Sequence, residues 1–282
     1  MPVLHVLWTA GDVARHQFEP DEAAVVFDVL RATTTMTAAL AAGARAVGAV
    51  ADPEVAFALR DRIQPAPLLA GEENMVRRPG FDMGNSPLEM EPGRVRDRIV
   101  VLCTTNGTRA TSAALAAGCR RLLAASLRNR TATARALLAG PEPARITLIC
   151  AGTKGAFSLD DALGAGAVIE ALLNLTGTAA GALDPAAPGQ AGPWRLTDAA
   201  RAALVLWEHH RSGVAAALAG CHHGRLLVAA GFGPDIDAAA QVDAADFAIT
   251  WQAAPGVPES AGGGWFVPTH FPGNRGASDR GM

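Results

Sequence analysis

Apolar residues along the chain fall in short runs, each leading into a longer alanine-rich stretch, with glycine or proline at the joins. Val3–Trp8, Ala23–Phe27, Ala46–Val50, Pro67–Ala70, Ile99–Leu102, Arg121–Ser126 and Ile146–Cys150 predict strands. Thr34–Ala42, Pro53–Ile63, Arg109–Ala117, Arg130–Leu138 and Leu159–Asn174 predict helices, the first and third closed by Gly43 and Gly118. Short apolar strands alternating with helices predict an α/β fold, a largely parallel, mixed sheet built from strand–loop–helix units and covered on both faces. Thr197–Trp207 and Val214–Gly220 extend the helical pattern toward the C-terminus.

Two stretches interrupt the alternation. Thr176–Pro193, rich in Gly, Ala and Pro, reads as a loop inserted after a helix, and from Pro255 onward the chain reads as a loosely held Gly/Pro-rich tail. The expected organisation is one domain over 1–254, divisible into two similar subdomains, with a tail over 255–282. The subdomain reading comes from an internal match. "VVFDVLRATTTMTAALAAG" falls without a gap on "VVLCTTNGTRATSAALAAG" when Asp28 is laid on Cys103. Alanine richness makes part of that match expected by chance, and the match reads either as coincidence or as a duplication. Either way, two strands end in Thr-rich polar corners, and "ITLICAGTKGAFSLDDALGAG" resembles them loosely as a third. Open α/β sheets bind ligands outside the carboxyl ends of their strands, so all three corners are expected on one edge.

The formal net charge of −3 leaves no electrostatic footprint for nucleic acid. No charge-free apolar stretch is long enough to span a bilayer, and Met1–Leu7 is too short for a signal peptide, so a soluble, cytoplasmic protein is expected. Cys103, Cys119, Cys150 and Cys221 lie far apart without metal-type spacing and read as small buried hydrophobes. Nothing in the alanine-rich composition argues against a homodimer.

In "TTNGTRA", Asn106-Gly107 makes a tight turn and Thr108 suits a helix N-cap. The corner reads either as an ordinary cap or as an anion cradle, in which backbone N–H groups, the helix dipole and the Thr104, Thr105 and Thr108 hydroxyls meet a phosphate. In "DVLRATTT", Asp28 ends a buried strand, where a carboxylate is costly unless paired or metal-bound. Arg31 follows, with Thr33, Thr34 and Thr35 opening a helix; the string reads as an Asp28–Arg31 salt bridge or as phosphoryl-transfer machinery. "AGEENMVRRPGFDMGNSPLE" carries Glu72, Asn85 and Ser86 on a long polar connection, and "SLDDALGAG" places Asp160 and Asp161 in the first turn of a helix. His222 and His223 are expected at the surface.

"FDVLRATTT", "GFDMGNSPLE", "TTNGT", "SLRN", "CAGTKGAFSLDDALGAG" and "CHHGRLLVAAGFGPDIDAAAQVD" occur in the order seen in the 2-phosphosulfolactate phosphatase family, which the chain resembles from about Val25 to Asp243. The resemblance implies an α/β/α sandwich and a Mg²⁺-dependent enzyme that hydrolyses 2-phosphosulfolactate to sulfolactate and phosphate, a step in coenzyme M biosynthesis. By position it implicates Asp28, Arg31, Thr33–Thr35, Asn85, Ser86, Thr104–Thr108 (with Asn106 and Gly107), Asn129, Gly152 and Asp161. Glu73 stands where a basic residue is expected in that family, and Asp160 where glutamate is commoner. The resulting expectation seats a small anionic phosphate ester on Thr105–Thr108 and Arg31, with Mg²⁺ held by Asp28, Glu72 and Asp161. The alternative is a non-catalytic protein that binds a phosphorylated or sulfonated metabolite in the same cradle, which has no need of the carboxylates.

Overall fold

The structure, a computed structural model, describes residues 1–73, 75–177, 193–254, 257 and 263–270. Most of the loop expected at Thr176–Pro193 lies outside them. The strands are β1 (Val3–Leu7), β2 (Glu22–Phe27), β3 (Ala46–Val50), β4 (Leu68–Glu73), β5 (Val76–Arg77), β6 (Ile99–Cys103), β7 (Arg121–Ala125), β8 (Arg145–Cys150), β9 (Arg195–Leu196), β10 (Ala248–Ala253) and β11 (Gly264–Thr269). The helices are α1 (Ala32–Ala41), α2 (Pro53–Arg62), α3 (Pro92–Val95), α4 (Asn106–Ala116), α5 (Arg130–Leu138), α6 (Leu159–Leu175), α7 (Asp198–His210), α8 (Val214–Gly220), α9 (His222–Ala229) and α10 (Gly233–Ala239). Among the described residues no helix is long and apolar enough to cross a membrane.

The strands form one sheet in the order β5-β4-β6-β3-β11-β10-β7-β2-β8-β1-β9. It contains two parallel blocks, β4-β6-β3 and β7-β2-β8-β1-β9. The hairpin β10–β11 joins them with antiparallel pairing at every step, so the two blocks run in opposite senses. Within the larger block the ladders are full, from Glu22↔Arg145 to Phe27↔Cys150 between β2 and β8. At the seam they are thin, and β11 meets β3 only through Phe266↔Val47.

Side-chain alternation assigns the layers. Ala23, Val25 and Phe27 of β2 face a core built with α5, α6 and α7, while Ala24 and Val26 face the opposite side. That opposite core takes Val47 of β3, Val100 and Leu102 of β6, Met36 of α1 and Ala114 of α4, so α1 and α4 are shared by both blocks. The far face of the smaller block is covered by Ala56 and Leu59 of α2. Helices therefore cover both faces of a mixed, mostly parallel sheet, as the sequence pattern predicts.

Two expectations change. The stretch from Pro255 onward is not a loose tail throughout, because Gly264–Thr269 forms β11 inside the sheet, beside a β10 that the apolar pattern also missed. Trp265 lies over β3, where a Cβ on Gly48 would come within 2.3 Å of its ring. The polar corners do not share one edge by strand direction. Those after β2 and β8 do, but the corner after β6 belongs to the oppositely running block and reaches them across the seam. The start of α4 nonetheless meets Asp28, whose Oδ2 accepts from Gly107 N–H.

Candidate active site

Asp28 lies just past the end of β2, 7% exposed, between the first turns of two helices. Gly107 N–H, at the start of α4, donates to its Oδ2 at 2.7 Å, and Ala32 N–H, at the start of α1, donates to Oδ1 at 3.3 Å. A Cβ on Gly107 would sit 2.9 Å from Asp28 Oδ2, so this approach requires glycine. Helix dipoles favour a negative charge at that meeting point. Burial opposes it, with Asp160 and Glu72 adding repulsion, and the carboxyl is pushed up to about 6 despite the two N–H donors.

Arg31 is 4% exposed and pairs not with Asp28, as one reading of the sequence had it, but with Asp235 on α10, at 2.8 Å from Nη1 to Oδ2. Ser86 Oγ donates to the other Asp235 oxygen at 2.6 Å. The guanidinium lies over the Phe232 ring, 4.6 Å from its centroid. This clamp fixes the arginine plane and leaves its other donors at the wall of a pocket of about 240 Å³. Asp28, Arg31, Glu72, Asn85, Thr104, Thr105 and Asn106 line that pocket together with Lys154, His222 and His223. Asn85 is buried, with an Oδ1 that has no hydrogen-bond partner. Burial holds His223 below the ordinary imidazole range, with Arg31 and His222 adding to this and Asp160 and Glu72 opposing.

Other residues singled out from sequence are placed elsewhere. The Thr33, Thr34 and Thr35 hydroxyls donate to the carbonyls of Asp28, Val29 and Asn85, so they tie down the start of α1 and do not line the pocket. Thr108 Oγ1 donates to the Thr104 carbonyl. Asn129 is fully buried and caps a 3-10 turn by accepting from Ser126 N–H at 2.9 Å. Gly152 N–H donates to Asp161 Oδ2 and Val29 N–H to its Oδ1, both at 2.9 Å. With each oxygen accepting from backbone, Asp161 staples β2 to β8, and it does not line the pocket. Burial, with repulsion from Asp160 and Asp28, holds its carboxyl well above the usual range.

Comparison with known proteins bears directly on this pocket. A sequence model described as 2-phosphosulpholactate phosphatase matches residues 9–254. The chain belongs to the 2-phosphosulfolactate phosphatase family. A Deinococcus radiodurans protein named probable 2-phosphosulfolactate phosphatase is 38% identical over 242 residues, covering 85% of this chain and 92% of its own length. A Synechococcus sp. (strain RCC307) protein of the same name is 41% identical over 207 residues, covering 73% and 79%. One from Symbiobacterium thermophilum is 47% identical over 148 residues, covering 52% and 62%. The match to the family runs from after β1 through β10, so it includes every residue that lines the pocket.

Sequence reasoning missed Lys154, His222, His223, Phe232 and Asp235 as members of the site. His222 is exposed, as expected, and lines the pocket on α9 together with the half-buried His223. A signal did exist: Phe232 and Asp235 lie in "GFGPDID", among the strings that carry the family resemblance.

Proposed function

We propose that the chain hydrolyses a small phosphate monoester, with 2-phosphosulfolactate as the substrate its relatives' names suggest, to the free hydroxy acid and phosphate. The observation that carries this reading is Asp28, a buried carboxylate at the convergence of two helix N-termini in a pocket that also holds the Arg31 guanidinium. The first turn of α4 presents N–H groups without helical partners, of which only that of Gly107 is taken by Asp28. Together with Arg31 they form the seat for the phosphate. Asp28 orients the attacking water and takes its proton, and Arg31, locked by Asp235 and Phe232, holds negative charge as it moves to the departing oxygen.

Among the described residues no group of three or more His, Cys, Asp or Glu side chains could hold a metal ion. Mg²⁺ asks less of the protein, because it commonly binds through one or two carboxylates with phosphate oxygens and waters completing the shell. Asp28 and Glu72 both line the pocket and fit that role, whereas Asp161 does not line it. When bound there, Mg²⁺ supplies positive charge to the phosphate oxygens.

Phosphate release from 2-phosphosulfolactate, 2-phospholactate and isopropyl phosphate, with Mg²⁺ and then with EDTA, tests this reading. Turnover that needs the metal and disappears in Asp28→Asn is the expected result. No release from any ester, together with tight phosphate binding in EDTA, would make the protein a binder.

A further inference from the structure

Of the 24 Lys and Arg residues in the chain, one is lysine, and it is Lys154. It stands in the turn between β8 and α6, where the backbones of Thr153 and Ala156 exchange hydrogen bonds of 3.0 Å. Its backbone is left-handed (φ +52), an uncommon state for a residue with a side chain, and Gly155 follows at φ +80. Lys154 lines the same pocket as Asp28 and Arg31. Among the described residues its ammonium has neither a hydrogen bond nor an ion pair, whereas the Arg31 charge is already met by Asp235.

The pocket thus has two cationic groups on different elements, with different chemistry. Arg31 is planar, locked in place and adjacent in sequence to the start of α1. Lys154 is a point charge on a flexible stem at the exposed turn. A compact ammonium on a flexible stem suits a second anion without demanding bidentate geometry. We propose that Lys154 holds the non-phosphate anion of the substrate, a carboxylate or sulfonate carried beside the ester, and thereby makes the enzyme selective for phosphorylated hydroxy acids over simple alkyl phosphates. This rests on the phosphatase reading above and adds the residue that selects the substrate class.

The test compares wild type, Lys154→Met and Lys154→Arg on three esters: 2-phosphosulfolactate, 2-phospholactate, which lacks the sulfonate, and isopropyl phosphate, which lacks both anions. Lys154→Met is expected to raise KM for 2-phosphosulfolactate at least tenfold, with kcat and the isopropyl phosphate kinetics within twofold of wild type. Lys154→Arg should restore most of the loss. A parallel rise for 2-phospholactate assigns the ammonium to the carboxylate, and an unchanged value assigns it to the sulfonate; both support the proposal. An equal loss on isopropyl phosphate, or no loss on any ester, overturns it.

A second readout is independent of turnover. Reductive methylation of the tag-free chain with ¹³C-formaldehyde labels only Lys154 and the N-terminal amine. Sulfolactate should move the Lys154 methyl resonance, and inorganic phosphate should leave it nearly unmoved. A shift as large with phosphate alone would place Lys154 on the phosphate and refute the proposal. Absence of turnover on every ester would count against the phosphatase reading, and the resonance would still decide what Lys154 binds.

Discussion

Asp28 carries two opposed demands, since its charge suits catalysis while its burial penalises that charge. Replacing it with Asn removes the charge at nearly constant volume, and kcat should fall by at least about 10³-fold, given what positioned acid–base and electrostatic groups contribute. The same burial fixes the sign of a stability effect. The carboxyl titrates near 6 in the folded chain against an ordinary 3.8. Its contribution to stability is therefore fully present below pH 3.8 and is lost as pH rises through 6. Measured in EDTA, the Tm of wild type minus that of Asp28→Asn should increase as pH falls from about 7.5 to about 5. Asp161 answers to a different measurement. Truncation to Ala leaves the Val29 and Gly152 N–H groups buried without partners, at about 1–3 kcal/mol each, so Tm should drop on the order of 10 °C. A metal ligand would instead lose Mg²⁺ affinity at unchanged Tm. At this scale the sequence is legible where chemistry is contiguous, as in Asp28-Val29-Leu30-Arg31 and Thr104-Thr105-Asn106. Beyond the family strings in which they lie, nothing local shows that Asp235 meets Arg31 or that Lys154 faces the same pocket, because both depend on separate elements folding together. The threonines after Arg31 show the same limit. A hydroxyl that ties down a helix start and one that binds phosphate look the same in sequence, and only the acceptor distinguishes them.

Among the elements, the helices are held at close range by single glycines. On α6, a Cβ at Gly166 would come 2.1 Å from the Ala203 carbonyl of α7, and one turn on, Glu170 accepts from Trp207 at 2.8 Å and from Arg130 at 2.6 Å. Gly166→Ala should cost about 1–3 kcal/mol by overpacking, read as a lower denaturant midpoint, while the kcat of the folded fraction stays unchanged. Gly107→Ala should show the opposite profile. The added methyl meets Asp28 rather than a helix wall, so Tm should hold within a few degrees while kcat falls about 10²-fold through misplacement. Strand–helix alternation revealed most elements because each strand is a buried apolar run. It missed β10 and β11 because Gly- and Pro-rich flanks dilute the signal of Trp265, Phe266 and Val267, and a six-residue strand is easily hidden in a biased segment.

For the whole molecule, the question is what joins two blocks that run in opposite senses. No local pattern contains strand order, so the reversal across β10 and β11 could not be read from the sequence, although the α/β class could. A chain ending at Ala254 keeps all of the family match yet loses β11, and with it Trp265 over Gly48 and Phe266 in the core shared by both blocks. It should be susceptible to proteolysis and inactive even with every pocket residue present. Native-like protease resistance and turnover in that truncated chain would show the seam to be dispensable. The position of the hairpin also sets a timetable. Chains leave the ribosome at about 5–20 residues per second, and domains fold as their segments emerge. Asp28 and the start of α4 are made early, on separate blocks, but the hairpin that seats one block against the other is synthesised after both. Nascent chains therefore carry the parts of the pocket before its alignment, and catalytic competence arrives only once β10 and β11 have been made.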